Sequence, residues 1–153
     1  MGGKIVNHYN DETRGTFQNT DYAKQLVSFD GLKFVGRNGL TNVTPTDIDG
    51  VVQLDNENCF IFFELKHSGR VPVGQSNALT KLVDAVQSGG VNCVLFVATH
   101  NTEYPTTIMA KDAIVQQIYW DGKWRPWANN RRLSDIMHSF INYIRKEDDC
   151  AAS

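Results

Sequence analysis

The chain has 153 residues, 41% hydrophobic and 21% charged, with a formal net charge of −2. This balance predicts one domain over 1–153 and excludes wholesale disorder, collagen-like repeats, a disulfide-dense scaffold and a broadly basic nucleic-acid coat. No run approaches the roughly 18 apolar residues of a membrane span, no apolar signal-peptide core opens the chain, and Cys59, Cys93 and Cys150 stand singly, so the expectation is a cytoplasmic, intracellular protein with reduced thiols and no membrane partner.

Residues 1–20, rich in Asn, Thr, Asp and Gly, read as an irregular lead-in. A short helix is predicted over 21–29 with Asp21 as its cap, then a turn at Asp30-Gly31 and a first strand over 32–37. Two β-prone runs follow, 47–54 and 59–67, separated by the turn-forming Asp55-Asn56-Glu57-Asn58. Over 74–89 the apolar positions 78, 79, 82, 83 and 86 have helical spacing, with Ser76 or Asn77 as cap and Gly89-Gly90 as stop. Residues 92–99 form a continuous apolar run suited to a strand buried on both faces. A further strand is predicted over 113–120, with Asp121-Gly122 turning it into Lys123-Trp124. From Ser134, positions 136, 137, 140, 141 and 144 mark an amphipathic terminal helix, with 147–153 as a polar tail. The whole is a mixed α/β domain with helices packed on a central sheet.

The chemistry concentrates in Thr46-Asp47-Ile48-Asp49-Gly50-Val51-Val52 and Phe62-Phe63-Glu64-Leu65-Lys66. Strand side chains alternate between faces, so Phe60, Phe62, Glu64 and Lys66 share one. Folding the two runs about the midpoint of their turn pairs Leu54 with Cys59. Counting back sets Asp49 opposite Glu64 and Asp47 opposite Lys66. Directly opposed side chains have Cβ atoms roughly 4.5–5.5 Å apart. Two carboxylates at that separation repel unless a cation or a proton lies between them. Hard oxygen ligands of this kind suit Mg²⁺ or Mn²⁺, which can polarise a phosphate oxygen and acidify a water. Lys66 can stabilise developing negative charge. These parts suffice for metal-assisted phosphodiester hydrolysis.

The pattern of Asp49 followed by Glu64-Leu65-Lys66 resembles the signature of the PD-(D/E)XK nuclease superfamily, which includes restriction enzymes, Holliday-junction resolvases and RecB-type nuclease domains. The resemblance spans roughly residues 21–99. It implies a restriction-endonuclease-like αβββαβ core, here with an appended β-hairpin and a C-terminal helix. It further implies that Asp49 and Glu64 bind the metal, with the main-chain carbonyl of Leu65 as a further ligand, and that Lys66 is the catalytic lysine. Gly74-Gln75 at the next helix is similar to the Gln of RecB-like and virus-type replication-repair nucleases, which would place Gln75 on the water or the scissile phosphate. The family's first acidic position is often preceded by Pro, whereas Ile48 precedes Asp49, which makes Asp47 a competing assignment. Many relatives carry a Glu in the first helix, for which only Asp21 and Glu12 stand here.

Arg37 and Arg70 are candidates for phosphate contact, with ordinary surface arginines as the alternative. Trp124, Arg131 and Arg132 belong to a stretch mixing aromatic and basic residues, which can form a nucleic-acid edge or pack the final helix on the sheet. His67 reads as a strand-end residue, and His8, His100 and His138 show no metal spacing. The leading expectation is a Mg²⁺- or Mn²⁺-dependent nuclease acting on DNA, most simply as an endonuclease. The alternatives are an inactive nucleic-acid- or protein-binding module on the same fold, or an enzyme for RNA or cyclic nucleotides. A homodimer through the terminal helix competes with intramolecular packing of its apolar stripe.

Overall fold

The computed structural model describes residues 34, 35, 37, 39, 42, 43, 46–67, 71, 73–127 and 129–151. The chain divides into two compact units, Met1–Pro45 and Thr46–Ser153. The expected lead-in and first helix lie outside the described residues, as do Glu12, Asp21 and Arg70.

In the first unit, β1 (Phe34–Val35) pairs antiparallel with β2 (Asn42–Val43), Phe34 facing Val43 and Val35 facing Asn42. This corrects the reading of 32–37 as the first strand of the central sheet. Gly39, at φ +72°, provides a left-handed turn between the two short strands, so the segment closes on itself. Arg37 is exposed in that turn.

The second unit holds a five-stranded sheet in simple sequential order: β3 (Gly50–Leu54), β4 (Cys59–Lys66), β5 (Asn92–Thr99), β6 (Ile114–Trp120) and β7 (Lys123–Pro126). Only β4 and β5 run parallel; the other neighbours are antiparallel. A parallel pair needs a long crossover, supplied here by α1 (Val73–Ser88). A single 3₁₀ turn (Ala110–Asp112) precedes β6, and α2 (Leu133–Ala151) closes the unit. The architecture is thus mixed α/β, with helices on both faces of a mixed sheet.

Each face carries its own apolar cluster. Phe62, Cys93, Leu95 and Tyr119 pack against Leu79 and Val83 of α1. On the reverse face Ile61, Val94, Phe96, Ala98 and Val115 pack against Leu133 and Ile136 of α2. β5 is buried on both faces from Cys93 to Ala98, as its unbroken apolar run requires. Tyr119 also joins α1 to the sheet, its hydroxyl donating to the Asp84 carboxylate at 2.9 and 3.0 Å. Among the described residues no helix is long and apolar enough to cross a membrane.

Two helix ends differ from expectation. α1 begins at Val73, so Ser76 and Asn77 lie inside its first turns and neither starts it. Its far end stops as predicted, where Gly90 adopts φ +81° and donates to the Gln87 carbonyl. α2 runs on to Ala151, so 147–151 are helical and not a loose tail. A hydrogen bond from the Tyr143 hydroxyl to Glu147 braces its outer face one turn apart. Arg145 meets Glu57 at 2.7 Å and ties the helix to the β3–β4 turn.

The β3–β4 register carries the site. Leu54 pairs with Cys59 and Gly50 with Phe63, which is the register inferred from the turn. A Cβ at Gly50 would stand 2.0 Å from Phe63 Cζ, so any larger residue there has to displace the ring. The ring lies over the bare backbone and fixes the end of β3 from which Asp49 emerges. Gly50→Ala should therefore destabilise the fold by about 1–3 kcal/mol, as overpacking does. Adding Phe63→Leu should recover part of that loss in a double-mutant cycle. Denaturant unfolding of the four proteins checks this, and a neutral Gly50→Ala would contradict the close packing.

Candidate active site

β3 begins at Gly50, and Asp49 sits at the bend just before it. There the Asp49 Oδ2 accepts the Leu65 N–H at 2.6 Å. The side chain thus takes over the pairing of β4 where the neighbouring backbone has left the ladder. Glu64 projects from β4 to the α1 face with 0% exposure. Gln75, in the first turn of α1, spans the cluster with both ends of its amide. Its Nε2 donates to Glu64 Oε1 at 2.7 Å, and lies 3.3 Å from the Asp47 carbonyl and 3.4 Å from Asp47 Oδ1. Its Oε1 accepts from Lys66 Nζ at 3.1 Å. Lys66 Nζ also stands 3.4 Å from Glu64 Oε2, with its side chain 24% exposed.

Glu64 is held up to about pKa 7 from an ordinary 4.5. Burial is the largest cause, followed by its hydrogen bond with Asp49 and that neighbour's negative charge; Lys66 pulls in the opposite direction. Glu64 Oε2 is a buried acceptor without a hydrogen-bond partner. Its nearest cation is Lys66 Nζ, 3.4 Å away. A dry anionic oxygen beside a second carboxylate is a fitting place for a hard divalent cation. Asp49 and Glu64 are the side chains that would hold one. The contact the structure gives Leu65 is through its N–H. Among the described residues there is no group of three or more His, Cys, Asp or Glu side chains placed to hold a metal.

The structure brings Asp47, Asp49, Glu64, Lys66 and Gln75 together. Other named residues go elsewhere. Arg131, just before α2, is turned onto that helix, donating to Ser139 Oγ at 2.9 Å. Arg132 pairs with Asp112 at 3.3 Å. Trp124 lies on the edge strand β7 against Tyr119, ring centroids 5.1 Å apart. Arg125 stacks on Trp120 and donates to its carbonyl, and Trp127 packs on the α2-side core. Trp127 and Arg125 thus pack within the second unit, while Trp124 and Arg132 stay exposed. His67 is exposed at the end of β4, 3.1 Å from Glu103 and edge-on to His100. Cys59 and Cys93 are buried, with burial raising their thiols to about 11 and 12. Both therefore stay protonated and inert near neutral pH.

Family models, curated proteins and solved structures yield no match to the chain. The site thus rests on its own geometry. Sequence reasoning missed two polar residues beside it, Thr99 and Gln116, which share a hydrogen bond of 3.1 Å. The signal was present in Gln116-Gln117, two successive polar residues that break the alternation of β6.

Folded Glu64 binds its proton more tightly than the unfolded chain does. That stabilisation is full below about pH 4.5 and is lost as pH rises through about 7. Glu64→Gln keeps the shape without the charge. It should exceed the wild type in stability above pH 7 by up to about 3 kcal/mol, with the gap closing near pH 5. Unfolding curves at pH 5 and pH 8 measure this. An equal gap at both would mean that Glu64 carries no such burden.

Proposed function

We propose that this protein is a divalent-metal-dependent nuclease that hydrolyses phosphodiester bonds, with DNA as its substrate. The observation that carries the reading is the fully buried Glu64, with one unpartnered oxygen, set beside Asp49 and Lys66. A structural ion pair at this place would be a poor use of a core position, since buried charges seldom stabilise a fold better than apolar residues. Perturbed carboxylates of this kind cluster at functional sites. The sequence resemblance to PD-(D/E)XK nucleases agrees with these roles. An antiparallel β3–β4 pair, a helical crossover and a parallel β5 also support a restriction-endonuclease-like core.

Asp49 and Glu64 would hold the cation, with the Leu65 carbonyl added by the resemblance. A bound Mg²⁺ or Mn²⁺ would polarise the phosphoryl oxygen and lower the pKa of an attacking water. Hydrolysis adds that water across a P–O bond, giving a phosphomonoester and an alcohol. Lys66, steadied by Gln75, places its ammonium where negative charge develops on the phosphoryl group. Gln75 fixes the Glu64 carboxylate through Oε1, and Oε2 would remain open to a cation. One observation favours the alternative of a binding module. Glu64 Oε1 and Asp49 Oδ2 already have protein donors.

The decisive experiment incubates the purified chain with labelled single-stranded, duplex and branched DNA, and with RNA, in Mg²⁺, Mn²⁺ or EDTA. DNA cleavage is expected with either metal and not with EDTA. Asp49→Ala and Glu64→Ala should abolish it. Lys66→Ala should slow it about 10²–10³-fold while leaving Mn²⁺ affinity intact. Cleavage unchanged in Glu64→Ala would assign the activity elsewhere. Calorimetry supplies an independent readout. Mn²⁺ binding near pH 6 should release a proton as Glu64 ionises, and the heat should vary with the buffer. No binding at millimolar Mn²⁺ would favour the module.

A further inference from the structure

A cavity of about 580 Å³ with a mixed polar and apolar wall opens at the C-terminal ends of β4 and β5, beyond the carboxylate cluster. Its size lies within the roughly 300–1,000 Å³ of small-molecule sites. Its wall includes His67, Thr99, His100, Asn101, Thr102 and Gln116. Lys66 is not part of that wall, but its ladder partner Thr99 is. Lys66 pairs with Thr99, so the two side chains share the α1 face, and the His100 N–H donates to the Lys66 carbonyl at 3.0 Å.

A β-bulge completes the wall. Val97 faces Gln117 but Ala98 faces Val115, which leaves Gln116 unpaired. Bulges re-aim a side chain, and here the Gln116 amide turns onto Thr99 Oγ1. The acid of the wall, Asp112, is paired with Arg132, and His67 is engaged by Glu103. The cavity therefore presents amides, hydroxyls and two imidazoles to its contents, alongside the apolar side chains of Met109 and Ile114. Such a surface suits a neutral planar ring with donors and acceptors on its edge. The loop that carries Asn101 and Thr102 also bears Tyr104, 97% exposed, whose ring is free to stack on a neighbouring base.

We infer that this cavity receives one unpaired nucleobase of the strand whose phosphate lies at Lys66. The preferred substrate is then DNA with a nucleotide out of the helical stack, as in a single strand, a flap or a bulge. A base still paired in a duplex has no free Watson–Crick edge to offer these amides. The inference rests on the proposed nuclease reading for the position of the phosphate, but binding tests it without cleavage.

The test uses the full chain in Ca²⁺, with duplexes that carry the fluorescent base 2-aminopurine either bulged out or paired. The wild type should bind the bulged duplex at least about tenfold more tightly and change the emission of the unpaired base only. Asn101→Ala with Gln116→Ala, both exposed positions, should retain the melting temperature and erase that preference. Equal affinity for the two duplexes, or a preference that the double variant keeps, overturns the inference. Should the preference and its loss be found while no nucleic acid is cleaved in Mg²⁺ or Mn²⁺, the base site stands and the nuclease reading falls. Cleavage without the preference means the opposite: the nuclease reading stands and the base site falls.

Discussion

A carboxylate with no solvent exposure, one strand away from another carboxylate, is the constraint around which the second unit is arranged. Dehydrating one ion costs several kcal/mol even after relaxation, and a like charge nearby adds to that cost. The structure offsets it with a few specific contacts. Gln75 donates to one oxygen of Glu64, Lys66 lies near the other, and Asp49 is satisfied by a main-chain N–H. The remaining imbalance shows as the raised pKa of Glu64. Buried charges seldom stabilise a fold better than apolar residues would, and the proposed function rests on that cost.

Strand alternation turns that constraint into geometry. Phe60, Phe62, Glu64 and Lys66 follow one another along the α1 face, so the apolar cluster passes directly into the polar one. The opposite face is closed by α2 and carries the larger share of the core. The polar cluster and the larger core are thus separated by the thickness of one sheet. Lys66 lies between the carboxylates on its β3 side and, on its β5 side, Thr99, which lines the cavity.

Much of the site was legible because a four-residue turn leaves little freedom of register. Leu54 against Cys59 sets every later pair, and the apolar run around Glu64 marks a buried strand. Three features were hidden for physical reasons. The start of α1 is set by a tertiary bond network at Gln75, which overrides the capping preference of Ser76 and Asn77. The pairing of β1 with β2 depends on a local turn at Gly39 that composition does not distinguish from a loop. The end of α2 continues through an acidic stretch that disfavours a helix C-terminus, braced by Tyr143–Glu147 and anchored by Arg145 to Glu57. The cavity wall was invisible for another reason: it is assembled from strand ends and a bulge, and no single motif spells it.

The parallel pairing of β4 with β5 also bears on how the protein reaches its native state. The β3–β4 hairpin closes over a short turn, whereas β4 and β5 meet only after the whole α1 crossover, and loop-closure entropy favours the nearer contact. The two acids accordingly come face to face while still hydrated, when their repulsion is weak. The penalty for drying Glu64 then falls on the later docking of α1 and β5, so proton uptake belongs to the slow half of assembly.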